Sequence, residues 1–308
     1  MSYKGGKFIW HNGQIVNWDE AKVHVLTHAL HYGSSVFEGI RVYKTPDGLK
    51  VFRLSDHIKR LYNSAKIYRM PIPFNEHEII GACKKLITDN DLNNGAYIRP
   101  IAFRGYGEIG LAPKNDHPVD VSIAAWEWGT YLGAEALENG VDVCVSSWQR
   151  VAPNTIPTQA KAGGNYLSST LISTEAKRLG FDEGIALSTD GMVSEGAGEN
   201  LFVVKDGKLY TPPASSGILT GITRDTVMKI CLRLGFSVNE EPINRESLYL
   251  ADEMFFTGTA AEITPISTVD RIAIGSGKRG PITEQLQNEF FGLFSNKTDD
   301  DHNWLESI

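Results

Sequence analysis

Pro153-Asn154-Thr155-Ile156-Pro157-Thr158-Gln159-Ala160-Lys161-Ala162-Gly163-Gly164-Asn165-Tyr166 is the stretch that decides how this chain is read. Two prolines stiffen the loop ahead of Lys161. Two glycines just after it let neighbouring groups approach the backbone closely. Beyond them Tyr166, Leu167, Leu171 and Leu179 precede a stop at Gly180, which predicts a helix over 165–179. A lysine set between a stiff loop and a helix start is held in place. Partly desolvated, it suits a Schiff base with a carbonyl cofactor such as pyridoxal phosphate. An arbitrary lysine is a solvated surface residue, so the rest of the chain has to supply what that cofactor also needs: an acid for the pyridine nitrogen and a cradle for the phosphate.

At 308 residues the chain has the length of about two domains, each large enough for its own core. Residues 1–127 mix short strands with helices. Strands are expected at 7–10, 14–17, 35–43, 49–53, 96–104 and 119–126, with turns at Asn12-Gly13 and Pro46-Asp47-Gly48. Ser55 is expected to cap a helix to about Tyr68, and Asn75 with Glu78 forms a capping box for a helix to about Leu92. Residues 128–140, with three glycines, read as a connector. The part 141–308 is strand-rich, at 141–147, 183–187, 192–195, 201–204 and 208–210, with turns at Asp190-Gly191 and Asp206-Gly207 and helices at 165–179, 223–234 and 283–294. The expected class is α+β, with largely antiparallel sheets.

A net charge of −7 with Lys and Arg scattered along the chain argues against a nucleic-acid footprint. No apolar run is long enough to span a bilayer, and 1–10 lacks the apolar core of a signal peptide. Cys83, Cys144 and Cys231 are widely spaced and odd in number, as expected of reduced core thiols in a cytoplasmic protein. A small-molecule partner fits this composition best.

Three patterns invite other chemistry and do not sustain it. Gly105-Tyr106-Gly107-Glu108-Ile109-Gly110 matches the dinucleotide fingerprint, but Leu111-Ala112-Pro113 cannot open the helix that fingerprint requires. His24, His28 and His31 fall at helical spacing without a carboxylate or cysteine to complete a metal set. Ser34-Ser35 and Ser168-Ser169 lack the glycine pattern of a hydrolase nucleophile.

The missing parts of a pyridoxal phosphate site are present. Gly221-Ile222-Thr223 opens a helix with Val227, Ile230, Cys231 and Leu234 on its apolar face, and its first amides make an anion site. Arg60 offers a guanidinium fork as a second phosphate partner. In Ser194-Glu195-Gly196-Ala197-Gly198-Glu199-Asn200 small residues leave room for a flat ring, and on composition either Glu195 or Glu199 can serve as its acid.

These segments resemble the branched-chain amino acid aminotransferases of the class-IV pyridoxal phosphate family, over nearly the whole chain. The likeness rests on 161–166, 194–202, Leu219-Thr220-Gly221-Ile222-Thr223-Arg224 and Gly258-Thr259-Ala260-Ala261-Glu262-Ile263-Thr264-Pro265, with His28 to Gly33, Phe37-Glu38-Gly39-Ile40-Arg41 and Tyr97-Ile98-Arg99-Pro100. It implies a fold-type-IV enzyme with a small amino-terminal domain, a larger carboxy-terminal one and pyridoxal 5'-phosphate at their interface. It implies Lys161 as Schiff-base lysine and proton shuttle, Glu195 on the pyridine nitrogen and Tyr166 on the phenolate oxygen. Arg60, Gly221, Ile222, Thr223 and Thr259 are implied around the phosphate, with Leu219 beside the ring. Tyr97 and the amides of Thr259 and Ala260 are implied for the substrate α-carboxylate, and Arg99 and Tyr32 for the distal carboxylate of glutamate. Phe37, Gly39, Leu111, Trp128 and Tyr131 are implied around the side chain. The implied reaction passes the amino group of L-leucine, L-isoleucine or L-valine to 2-oxoglutarate. The implied assembly is a homodimer at least, or a hexamer, with Tyr32 and Leu111 reaching a partner's pocket. A D-amino acid aminotransferase, a class-IV carbon–carbon lyase and a non-catalytic pyridoxal phosphate carrier are the rival readings.

Overall fold

The computed structural model describes residues 5–114, 116–129 and 135–308. They form two compact units. One takes in the described chain up to Gly129 with Ala160–Gly164 and Asp300–Ile308; the other is the stretch ending at Gln159 together with Asn165–Asp299. Two segments from beyond residue 140, the lysine loop and the carboxyl terminus, thus pack with the first unit.

In the first unit β1 (Phe8–His11) and β2 (Gln14–Asn17) form a hairpin; α1 (His28–Tyr32), β3 (Ser35–Phe37), β4 (Ile40–Thr45), β5 (Gly48–Phe52), α2 (Leu54–Ile67), α3 (Glu76–Asp89), β6 (Ala96–Arg104) and β7 (Val119–Glu127) follow. The sheet is antiparallel, in the order β5-β4-β6-β7-β1-β2, with β3 also on β6 and a carboxy-terminal strand, Leu305–Ser307, on β5. Its long hairpin pairs Ala96 with Glu127 through Arg104 with Val119. Ile58 and Leu61 of α2, Ile79 and Leu86 of α3, and Val36, Ile40, Ile98 and Ile123 of the sheet close one core.

Two local expectations are revised here and a third is met. The strand expected over 35–43 is interrupted at Glu38-Gly39 without a change of register: Phe37 pairs with Ile101 and Ile40 with Ile98, and the Glu38 N–H still donates to Pro100 O (2.9 Å), but Pro100 has no N–H to return the bond. Ser55 does not cap α2. The N-cap is Arg53, at φ 53°, and both the N–H and hydroxyl of Ser55 donate to Glu306. Arg53 N–H also donates to Trp304 O, and its guanidinium lies over the Trp304 ring, so the carboxyl terminus takes the place of a side-chain cap. The Asn75 and Glu78 capping box is present, and α3 ends at Asp89.

In the second unit the elements are α4 (Ala136–Asn139), β8 (Val141–Val145), α5 (Tyr166–Arg178), β9 (Glu183–Leu187), β10 (Val193–Gly196), β11 (Asn200–Lys205), β12 (Lys208–Thr211), α6 (Ile222–Arg233), β13 (Val238–Glu240), α7 (Arg245–Tyr249), β14 (Glu253–Gly258), β15 (Glu262–Val269), β16 (Ile272–Ala273) and α8 (Pro281–Gly292). The sheet order is β10-β9-β8-β15-β14-β11-β12-β13, with β16 on β15. Antiparallel pairs predominate, while β8 runs parallel to β9 and β15, and β12 to β13. Sequence periodicity missed β14 and β15. Helices α6 and α8 pack against β14, which is buried from Glu253 to Thr257 and whose residues, Glu253-Met254-Phe255-Phe256-Thr257-Gly258, show no apolar–polar alternation. All three cysteines are buried and unpaired, and burial pushes the Cys231 thiol up to about 12. Among the described residues no helix is long and apolar enough to cross a membrane.

Candidate active site

Lys161 is fixed through its backbone before its side chain is considered. Its carbonyl accepts from Phe37 N–H (3.0 Å), its own N–H donates to the buried Ser64 hydroxyl on α2 (3.0 Å), and Ala162 bridges to Val36 of β3. A Cβ on Gly163 would fall 2.3 Å from Ser35 Oγ, so the glycine after the lysine is what lets this loop lie against β3. The ammonium then stands 5.2 Å from the centre of the Phe37 ring.

Near it is a buried charge group of which sequence patterns singled out only Arg60. Glu38, fully buried, receives Arg60 on both carboxylate oxygens (Nε 2.6 Å, Nη2 2.8 Å) and lies 2.7 Å from His57 Nδ1. Burial by itself would raise the Glu38 carboxyl, but Arg60 and His57 outweigh it and hold the group well below the usual carboxylate range. Burial pushes His57 down, further lowered by Arg60 and Lys161 and opposed by Glu38. Arg60, expected on a phosphate, is thus oriented by a bidentate grip on Glu38. The signal for it is Glu38 itself, an acid in the middle of an apolar strand pattern.

On the same unit β6 presents Tyr97 and Arg99 two residues apart, hence on one face. Arg99 lies 4.9 Å from the Phe37 ring centre and 5.3 Å from that of Tyr97, and Nη2 donates to the Tyr97 hydroxyl (3.3 Å). Its Nε is buried without a partner. Trp128 sits 4.9 Å from Tyr97, and Trp126, which the sequence reading did not single out, 5.2 Å from it. A Cβ on Gly39 would lie 1.8 Å from the Tyr97 hydroxyl oxygen, so only glycine leaves that hydroxyl its place. The result is one guanidinium in an aromatic enclosure. Tyr32 and Leu111 are exposed, at 41% and 87%; Tyr131 lies outside the described residues. The glycine loop after β6 opens no helix, and Gly105 O accepts from His28 N–H (3.0 Å). His28 spends its ring nitrogens on Ser34 and Gly110 O, and no cluster able to hold a metal occurs among the described residues.

The second unit separates the two candidate acids. Glu195, on β10, is 6% exposed and lies 2.8 Å from Arg150 Nη2; its other oxygen accepts from Asn200 Nδ2 and Leu219 N–H, both at 3.1 Å. Asn200 also donates to Leu219 O (2.8 Å), tying the acid to the segment before α6. Glu199 instead accepts from Gly198 N–H (3.1 Å) and lines, with Tyr166, Ser169, Ser173 and Glu183, a cleft of about 290 Å³. The cap of α6 is Gly221, so no side-chain oxygen of the cap residue competes with an anion for the first amides. A Cβ there would fall 2.1 Å from Asn200 Oδ1. On the Asn200 face of the sheet, Thr257 pairs with Asn200 across the ladder, and its buried hydroxyl has no partner.

A lysine pinned at its backbone in the first unit and, in the second, a buried carboxylate beside an arginine, a glycine-capped helix start and an orphaned hydroxyl are the kinds of group that a phosphorylated pyridine aldehyde needs. Arg150 and Ser64 were missed in the sequence because each acts through another residue and carries no motif, and Asn200, though inside the 194–202 segment, was given no role because it too acts through another residue.

The amino-transferase class IV family matches residues 35–269. The chain is 56% identical over 308 residues to the branched-chain-amino-acid aminotransferase of Escherichia coli strain K12, covering 100% of this chain and 99% of that one. The crystal structure of an Escherichia coli branched-chain amino acid aminotransferase superposes with a TM-score of 0.97 at 56% identity, over 98% of this chain and 99% of that one. The crystal structure of a branched-chain aminotransferase from the thermophilic archaeon Thermoproteus uzoniensis with norvaline superposes with a TM-score of 0.92 at 43% identity, over 98% of this chain and 99% of that one.

Proposed function

Because this chain belongs to the class-IV aminotransferases, we propose that it moves the amino group of L-leucine, L-isoleucine and L-valine to 2-oxoglutarate, giving the branched-chain 2-oxo acids and L-glutamate. The observation that carries this reading is Arg99 among Phe37, Tyr97 and Trp128. An aliphatic side chain meets aromatic surface there. A distal carboxylate meets the guanidinium.

Pyridoxal 5'-phosphate supplies, when bound, an aldehyde carbon and a pyridine ring that takes up the electron pair released at the substrate Cα. Lys161 would hold the cofactor at that carbon, and its Nζ would be the group that takes and returns the proton at the substrate Cα. Glu195 holds a proton on the ring nitrogen, and Tyr166 meets the phenolate oxygen. The amides of Ile222 and Thr223 at the α6 start, with Arg60, Thr259 and the opening left by Gly221, hold the phosphate, while Leu219 packs beside the ring. Tyr97 and the amides of Thr259 and Ala260 orient the α-carboxylate. Arg99 and Tyr32 take the distal carboxylate of glutamate; Phe37, Gly39, Leu111, Trp128 and Tyr131 surround an aliphatic chain. Two half-reactions through one pocket make the kinetics ping-pong. The exposed Tyr32 and Leu111 motivate a homodimer as the minimum active unit, working in the cytoplasm.

A keto-acid assay across L- and D-amino acids with 2-oxoglutarate tests the reading. Turnover should be confined to the L-isomers and highest with the three branched-chain substrates; activity on D-leucine, or pyruvate release from a chorismate-derived substrate, would replace it with one of the rival family reactions.

A further inference from the structure

We propose that Arg150 is a positioning residue that keeps Glu195 anionic and aimed before any cofactor arrives. The proposal rests on the assignment of Glu195 as the acid of the pyridine nitrogen.

The geometry is that of a built charge pair. Arg150 Nη2 stands 2.8 Å from Glu195 Oε1, and the two side chains are 7% and 8% exposed. The backbone N–H of Arg150 donates to Leu187 O on β9 (2.8 Å) and its Nη1 to Ser169 Oγ on α5 (3.3 Å), so its backbone is held from β9 and its guanidinium from α5. The turn leading to it is pinned as well, because Glu175 of α5 accepts from the hydroxyls of Ser146 and Ser147 and from Ser147 N–H. Facing Glu195 from the β11 side and from the segment before α6 are Asn200 Nδ2 and Leu219 N–H, neutral donors. Arg150 brings a full positive charge from the segment after β8.

The charge decides the outcome. A buried carboxyl is pushed towards its protonated form unless positive charge stands beside it, and documented lone buried glutamates titrate about 4 units above their ordinary value. A protonated Glu195 cannot stabilise a proton on the ring nitrogen. Arg150 therefore does for the acid what no amide can, and it does so in the cofactor-free protein. Removing one partner of such a pair leaves an uncompensated buried charge, which the protein relieves by protonation.

The test counts protons. Isothermal titration of the cofactor-free protein with pyridoxal phosphate, in two buffers of different ionisation enthalpy at pH 7, gives the protons exchanged on binding. In Arg150→Met the unliganded Glu195 already carries a proton, so binding should release about one more proton than in the wild type. Arg150→Lys should restore the wild-type count. Glu195→Gln and the double variant Arg150→Met/Glu195→Gln should give equal counts. Circular dichroism and sedimentation establish that each variant is folded. A folded Arg150→Met with the wild-type proton count, or a proton difference that survives in the Glu195→Gln background, overturns the role given to Arg150. Failure of the underlying assignment looks different: Glu195→Gln would then leave the absorption spectrum of the loaded protein and its pH dependence unchanged.

Discussion

Replacing Arg99 by methionine should split the two half-reactions. The guanidinium makes one hydrogen bond within its unit, a long one of 3.3 Å to Tyr97, and its Nε is buried without a partner. Most of its donor capacity is therefore reserved for something other than the fold. A charge-assisted hydrogen bond to a substrate carboxylate contributes roughly 1.5 to 3 kcal/mol, or about 10- to 150-fold in kcat/KM. Methionine keeps an unbranched side chain against Phe37 and Tyr97, so packing changes little. Leucine has no charge to offer Arg99. Single-turnover reactions isolate the halves, with 2-oxoglutarate added to the pyridoxamine form and leucine to the pyridoxal form. The first should slow within that range and the second by less than about threefold, the effect of a small packing change. Equal losses would mean that Arg99 serves the shared α-carboxylate or the cofactor, and the account of dual specificity would fail.

Other expected outcomes follow from neighbouring parts of the molecule. Glu195→Gln should cost far more turnover than Glu199→Gln, since Glu195 has the arginine partner; equal losses would undo that choice. Gly39→Ala should push the Tyr97 hydroxyl aside, raising KM for every substrate and costing roughly 1 to 3 kcal/mol of stability in urea titrations; unchanged KM values would contradict the packing reading. His57 has its folded-state titration lowered, so the unfolded chain binds the extra proton as pH falls below about 6.5, and stability should decline from pH 7 to 5. Glu38, also lowered, adds its own loss only below about 4.5 as its stabilising charge is titrated away. Substituting His57 by asparagine should flatten the upper of these two slopes, as measured by urea midpoints across pH. Sedimentation should show a dimer or larger, and full activity in a well-behaved monomer would exclude a pocket completed by Tyr32 and Leu111 of a second copy.

Much of this was legible in the residues because each legible element announces itself locally. Asn75 with Glu78, Asp206-Gly207 before β12, and the lysine loop carry their signals within a few positions, and the structure has helix, turn and fixed backbone there. What escaped is non-local. The cap of α2 comes from the carboxyl terminus some 250 residues away and leaves no trace near Ser55. In β14 Met254, Phe255 and Phe256 stand together between Glu253 and Thr257, without the alternation by which a strand would be recognised. The groups that orient the candidate site, Ser64 under Lys161, His57 and Arg60 on Glu38, Arg150 and Asn200 on Glu195, are paired across strands and helices. Sequence shows which groups carry chemistry. Tertiary contact shows which groups aim them.

The most direct test of the central assignment is to reduce the purified, cofactor-loaded protein with borohydride and locate the pyridoxyl adduct by peptide mass mapping. The adduct should sit on Lys161, in the peptide running through Gly163-Gly164-Asn165, and Lys161→Ala should yield none while still binding cofactor weakly through the phosphate cradle. An adduct on any other lysine would contradict the account.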